Sequence, residues 1–256
     1  MKKEKAILVV SFGSSYKEAR EKAIEPIEEK IEKAFPNYHI DRAFTSYRII
    51  EKLKKEGIIY QNPKEALEKL IHLGYKEIFV QPLHIIPGFE YEKIKEIIDE
   101  VDKKDVRIVL SQPLLYTEED YERVIDGLKA QCPPLKEDEI VLLAGHGTEH
   151  KANQCYIELQ EKLRDMKLPF IVGTIEDGLE DILLELNEKA YRSVTLMPFL
   201  LVAGDHALND LISNKEDSWQ TCLLELGYEV KGYLKGLGEN PLIQEMYVKY
   251  VEKLIR

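Results

Sequence analysis

The residues best equipped for chemistry are a few of the six histidines and the carboxylates that share their surroundings. One histidine stands in Gly145-His146-Gly147-Thr148, directly after an apolar run. Glycine on both sides lets the backbone turn sharply and lets a bulky ligand approach closely. An imidazole held there can ligate a transition metal or accept a proton near neutral pH. Position alone equally allows a pocket-lining histidine with no chemistry. A second histidine follows Gly204 in Asp205-His206, and at the matching place earlier in the chain Glu90 follows Gly88. The turn Thr174-Ile175-Glu176-Asp177-Gly178 offers Glu176 or Asp177. Two imidazoles with carboxylates suit a divalent first-row ion such as Co²⁺, Fe²⁺, Ni²⁺ or Zn²⁺. The spacing is not that of H-E-x-x-H or another compact motif, so its force depends on the fold bringing these loops to one edge.

Other polar residues read more plainly. His150 reads as a surface residue in a helix's first turn that could also line a cleft, and Cys155 reads as a buried helix cysteine. His84, inside an apolar run, reads as packed rather than ligating, and His39 and His72 as peripheral. Ser11-Phe12-Gly13-Ser14-Ser15 could cradle an anion at a helix N-terminus, yet Ser11 and Ser14 serve equally as helix caps. No P-loop, G-x-G-x-x-G, G-x-S-x-G or paired-cysteine redox motif occurs.

Elements that would position these residues follow from hydrophobic periodicity. Short apolar, β-branched runs predict strands at 6–11, 38–44, 77–81 and 106–110, then at 140–144, 170–173, 193–197 and 229–233. Amphipathic Lys/Glu-rich stretches between them, such as 17–34, 63–73 and 91–101, predict helices with solvated charged faces. Continuous apolar strands alternating with such helices imply βαβ crossovers and parallel sheets covered on both faces. In open sheets of this kind, ligands bind outside the carboxyl ends of the strands.

The two strand sets resemble each other. Val10-Ser11-Phe12-Gly13-Ser14 aligns with Ala144-Gly145-His146-Gly147-Thr148, and the segment 81–90 aligns without gaps with 197–206. The turns at Thr45 and Thr174 pair as well. A duplicated, four-stranded doubly wound lobe is expected, with Pro133-Pro134 and the polar residues after it as linker and lobes of 1–132 and 139–256.

Composition sets limits. The 256 residues, 44% hydrophobic and 32% charged, can bury a sizeable core without disulfides or structural metal. A net charge of −11 gives no global reason to bind nucleic acid or an anionic membrane. Cys132, Cys155 and Cys222 form no C-x-x-C spacing. The apolar run 6–10 after the basic N-terminus is too short for a secretory or membrane segment, so a cytoplasmic protein is expected.

Taken together, the 11–15 turn, the 145–148 loop, the 81–90 segment and residues 198–206 resemble the anaerobic cobalt chelatases of cobalamin biosynthesis. These are the sirohydrochlorin cobaltochelatases of the class II chelatase superfamily, related to ferrochelatase. The resemblance implies two similar doubly wound α/β lobes, chelatase-like, with a tetrapyrrole in an interlobe cleft. It implies insertion of Co²⁺ without ATP into sirohydrochlorin or precorrin-2, with Fe²⁺, Ni²⁺ or Zn²⁺ as alternative metals and no organic cofactor. His146 and His206 match the family's metal-binding, catalytic histidines, Glu176 its acidic metal ligand, and Glu90 a cleft glutamate that influences metal choice. Ser11, Phe12, Ser14, Gly88 and Phe89 are the expected substrate-binding positions, with Phe199 a further ring to pack on the macrocycle and Arg48 and Lys17 candidates for its carboxylates. A homo-oligomer is compatible with this reading; nucleic-acid and membrane partners are not expected. The rivals are a sirohydrochlorin ferrochelatase or nickel chelatase and, outside enzymes, a metal or tetrapyrrole carrier.

Overall fold

The computed structural model describes residues 4–103, 105–188, 191–204 and 210–256. Asp205 and His206 therefore lie outside the described residues. The chain packs as two compact units, one of residues 1–124 with 241–256 and one of residues 125–240.

The first unit is built on β1 (Lys5–Ser11), β2 (His39–Phe44), β3 (Glu77–Pro82) and β4 (Arg107–Leu110). All pair in parallel, in the order β2-β1-β3-β4. Residues 6–10 of β1 are buried whichever face they point to, as a parallel strand covered on both sides requires. On one face Ala6, Leu8 and Val10 pack with Ala66, Leu67 and Leu70 of α4 (Pro63–His72) and with Ile94 and Ile98 of α5 (Phe89–Glu100). The start of α4 is fixed by its sequence: Asn62 and Glu65 bond each other's backbone N–H, and Pro63 occupies the first turn.

The long helix expected over 17–34 is two helices, α1 (Lys17–Ala23) and α2 (Glu25–Ala34). Pro26 is the cause: lacking an N–H and crowding the preceding turn, it cannot sit inside a continuous helix, and instead falls in the first turn of α2. The last helix, α10 (Pro241–Ile255), packs with the first unit, whereas the boundary read from sequence left it with the second half. Two buried phenols hold it. Tyr247 donates to the carbonyl of Leu83, and Tyr250 donates to the carbonyl of Leu114 and to Asp120. Asp120, in α6 (Glu118–Gln131), also accepts from Thr117 and Gln112, so its buried carboxylate is fully engaged.

The second unit repeats the plan with β5 (Glu139–Gly145), β6 (Phe170–Thr174), β7 (Ser193–Pro198) and β8 (Glu229–Gly232), all parallel in the order β6-β5-β7-β8. Among the described residues its helices include the end of α6, α7 (Gln154–Asp165), α8 (Glu180–Glu188) and α9 (Trp219–Glu225). Ile140, Leu142 and Ala144 pack against Ile171, Val194 and Leu196 and against Ile182, Leu186, Trp219 and Leu223 of the helices. Among the described residues, no helix is long and apolar enough to cross a membrane.

The duplication extends to individual hydrogen bonds. Leu83 N–H donates to the carbonyl of Val10, and Phe199 N–H to that of Ala144. Thr45 N–H donates to the carbonyl of Ser11, and Ile175 N–H to that of Gly145. Ser46 and Glu176 donate likewise to Phe12 and His146. The aligned strand-one and strand-three loops therefore occupy equivalent places. The pairing of the Thr45 and Thr174 turns is off by one: the register sets Phe44 against Ser11 and Thr174 against Gly145, so Thr45 matches Ile175.

Candidate metal and macrocycle loops

At the carboxyl edge of the second sheet, the loop after β5 carries His146 and the loop after β6 carries Glu176. Backbone bonds Ile175 to Gly145 (2.9 Å) and Glu176 to His146 (3.2 Å) lock the loops side by side. His146 Nδ1 lies 3.6 Å from Glu176 Oε1 and 3.1 Å from the carbonyl oxygen of Gly147, and both side chains are about half exposed. With the proton on Nδ1, the ring donates to that carbonyl and keeps the Nε2 lone pair for a metal or an incoming proton.

Both glycines are needed. Gly147 has φ +87°, and a Cβ on it would come within 2.8 Å of Glu176 Cβ and Thr174 Oγ1. A Cβ on Gly145 would collide with the ring of Tyr156 in α7. That phenol is pushed up to about 12 by burial, opposed by backbone N–H groups of Gly147 and His146 directed at its oxygen. Tyr156 thus props the histidine loop from below. Sequence reasoning missed it, because an aromatic on an amphipathic helix carries no signal beyond core packing. Of the two acidic residues open in the sequence, Glu176 faces His146, whereas Asp177 turns back to accept from the Thr174 hydroxyl.

Three side chains read otherwise in the sequence are corrected here. His150 is buried rather than on the surface, and its Nδ1 accepts from Ala152 N–H to cap the short turn Lys151–Asn153. Cys155 is only half-buried. Phe199 is fully buried, edge-on to Tyr156 at 6.2 Å, and presents no ring to a ligand.

The first sheet's carboxyl edge has a different character. Phe12 is 48% exposed and Phe89, at the start of α5, is 59% exposed. Ser11 and Ser14 are buried: Ser14 Oγ accepts from Tyr16 N–H and its carbonyl from Arg20, while Tyr16, with no side-chain cap, precedes α1. Neither serine caps α1 as expected. Gly88 begins α5, its carbonyl accepting from Tyr91 and Glu92. Glu90 Oε2 is buried without a hydrogen-bond partner, 4.0 Å from Lys93 Nζ. Lys17 reaches back to Glu21 along α1 instead of toward these loops, and Arg48 is exposed on α3 (Tyr47–Lys55).

His84 sits beneath this edge with both ring nitrogens buried and unpartnered. Burial, helped by the charge of Lys93, lowers its pKa to about 4. The unfolded chain binds this proton near pH 6.5 and the folded one only near 4, so the group's contribution to stability is intact above 6.5 and lost as pH falls toward 4. At pH 5 the loss amounts to about 2 kcal/mol. Glu28, raised to about 7 mainly by burial, acts in the opposite direction, so the comparison must be made against a variant. Urea unfolding of His84→Phe at pH 7.5 and 5 should show a stability drop smaller by this amount than wild type; an equal drop would contradict the assignment.

Among the described residues, no three His, Cys, Asp or Glu side chains cluster as a ready metal site. His146 and Glu176 form a pair to which the described residues add no third ligand of this kind.

The family model described as cobalt chelatase (CbiK) matches residues 5–256. The sirohydrochlorin cobaltochelatase of Salmonella typhimurium is 40% identical over 255 residues, covering 98% of this chain and 97% of that protein. Sirohydrochlorin cobaltochelatase CbiKC of Nitratidesulfovibrio vulgaris is 32% identical over 241 residues, covering 92% and 85%. Among solved structures, SirB from Bacillus subtilis with Fe³⁺ aligns with a TM-score of 0.64 at 17% identity, covering 98% of this chain and 95% of that one. CbiX, the terminal enzyme for biosynthesis of siroheme in denitrifying bacteria, aligns with a TM-score of 0.56 at 15% identity, covering 97% of this chain and 98% of that one. These structures share the two-lobed α/β chelatase fold. With a family model spanning nearly its whole length and two curated relatives above 30% identity, the chain belongs to the cobalt chelatase (CbiK) family.

Proposed function

We propose that this cobalt chelatase inserts Co²⁺ into sirohydrochlorin, the macrocycle named for its two curated relatives. The observation that carries the site assignment is the glycine-flanked loop that holds His146 against Glu176. Insertion must strip water from the ion and remove two pyrrole N–H protons. An imidazole can hold the ion and afterwards accept a proton at neutral pH, and a carboxylate balances charge and provides a second base. Ligation must remain weak and exchangeable, because a closed four-ligand cage would trap the metal. In this reading His146, Glu176 and His206 bind the incoming ion, and His146 and His206 accept the protons. Glu90 is the further catalytic carboxylate, acting on the macrocycle side, where Gly88, Phe89, Phe12 and the 11–14 turn receive the substrate. No nucleotide is consumed, and precorrin-2 is the alternative substrate.

The test is spectroscopic. Purified protein, sirohydrochlorin and Co²⁺ are mixed and the macrocycle's absorption is followed. Acceleration well above the protein-free control, over many turnovers, is expected. A stoichiometric, unchanging complex would identify a carrier instead, and no acceleration would remove the proposal. Running Fe²⁺ and Ni²⁺ in competition ranks the metals.

A further inference from the structure

We propose that the carboxyl edge of the first sheet is a cationic–aromatic platform for the substrate's carboxylates, with Lys52 and Lys93 as the groups that grip them. This rests on the reading that the substrate is sirohydrochlorin, a macrocycle rimmed with eight carboxylates. A polyanion cannot be drawn in by a chain of net charge −11 unless positive charge is concentrated locally.

The loops after β1, β2 and β3 are tied together here. Backbone bonds join Thr45 to Ser11 and Ser46 to Phe12. Lys52 Nζ, from α3, donates to Ser15 Oγ at 3.0 Å, and Lys93 Nζ, from α5, donates to the carbonyl of Thr45 at 2.9 Å. Each ammonium also sits over an exposed phenol ring: Lys52 over Tyr16 at 5.3 Å and Lys93 over Tyr47 at 5.0 Å. Two lysines are thereby held over rings on the same loops and helices that carry the exposed Phe12 and Phe89. Exposed aromatic rings with cations held on the same elements match a flat macrocycle rimmed with carboxylates.

A second observation points to a ligand at the same edge. Thr45 Oγ1, whose hydroxyl can donate to a carboxylate, and the His84 ring, one of whose nitrogens can do the same, are buried there without hydrogen-bond partners. Such atoms are costly unless something engages them. A third is the divergence of the two repeats. Where the second unit has His146 and Glu176, the equivalent first-unit positions, bonded in the same way, are Phe12 and Ser46. The duplicated edge has kept metal-ligand chemistry in one copy and aromatic–cationic chemistry in the other. Glu90, 4.0 Å from Lys93, partly offsets that lysine, so Lys52 is expected to carry the larger share.

The experiment titrates wild type, Lys52→Met, Lys93→Met and the double variant with metal-free sirohydrochlorin, followed by macrocycle absorption, at low and high salt. A parallel titration uses Co²⁺ alone. At low salt Lys52→Met should bind the macrocycle about tenfold more weakly and Lys93→Met about threefold more weakly. The double variant should lose most of wild type's salt dependence, and Co²⁺ affinity should stay unchanged. Lys52→Arg, which keeps the charge, should bind within about threefold of wild type. A porphyrin bearing no carboxylates should bind wild type and variants alike. Unchanged affinity for sirohydrochlorin in the double variant would overturn the proposal, as would parallel losses for Co²⁺ or for the carboxylate-free porphyrin, which mark a merely structural role. Failure of wild type to insert cobalt would instead overturn the functional reading and leave these binding data to be judged separately.

Discussion

His146→Ala lowers the rate of cobalt insertion by at least about a hundredfold, the usual range for loss of a positioned acid–base group, and by more if ligation is lost as well. The fold should survive. The imidazole is about half exposed, and the Gly147 carbonyl it faces can turn to water, so stability should change by no more than about 0.5 kcal/mol. Glu176→Gln is expected to be milder, about tenfold, because an amide keeps a polar oxygen of the same size beside the ring but brings no charge to the ion. Stopped-flow absorption with sirohydrochlorin and Co²⁺ in excess measures the rate, and calorimetric titration of Co²⁺ alone measures the ligand role. Wild-type turnover in His146→Ala would remove His146 from the mechanism. Turnover lost with Co²⁺ affinity intact would keep it as a base and discard it as a ligand.

The inner strands β1, β3, β5 and β7 were legible because each is a largely apolar run buried on both faces, whereas the edge strands β2 and β8 carry charged residues and were legible mainly by their place between helices. The alignment of 10–14 with 144–148 was also legible, because the left-handed glycines Gly13 and Gly147 constrain both loops in the same way. What escaped depended on packing. The one-residue shift between the Thr45 and Thr174 turns is set by strand register, which no local residue announces. Phe199 and Phe12 look alike in sequence. One follows the middle strand's neighbour into the core and the other leaves the sheet at the strand-one turn. The docking of α10 on the first unit rests on Tyr247 and Tyr250 reaching carbonyls more than a hundred residues away. Lys52 and Lys93 were hidden among 36 basic residues, since a charge on a helix reads as solvated until the loop it reaches is known.

Gly147→Val separates the two edges most sharply when set beside Gly13→Val. Both glycines hold left-handed φ, +87° and +93°, a region that a β-branched residue rarely enters. Both would also place a Cβ too close to a neighbour: Gly147 within 2.8 Å of Glu176 Cβ and Thr174 Oγ1, Gly13 within 2.6 Å of the Phe44 ring. Each substitution should therefore cost about 3 kcal/mol or more of stability, combining backbone strain with overpacking. Their functional effects should diverge. In the second unit the displaced neighbour is Glu176, so relief comes by pushing the carboxylate away from His146, and Co²⁺ affinity and turnover should fall at least about tenfold. In the first unit the displaced neighbour is a core ring under the Phe12 turn, so binding of metal-free sirohydrochlorin should weaken while Co²⁺ binds as in wild type. Both titrations are run well below the lowered melting transitions, with circular dichroism confirming that each variant is folded. If Gly13→Val lost Co²⁺ binding as Gly147→Val does, the edges would not divide the work, and metal and macrocycle recognition could not be assigned to separate copies of the repeat.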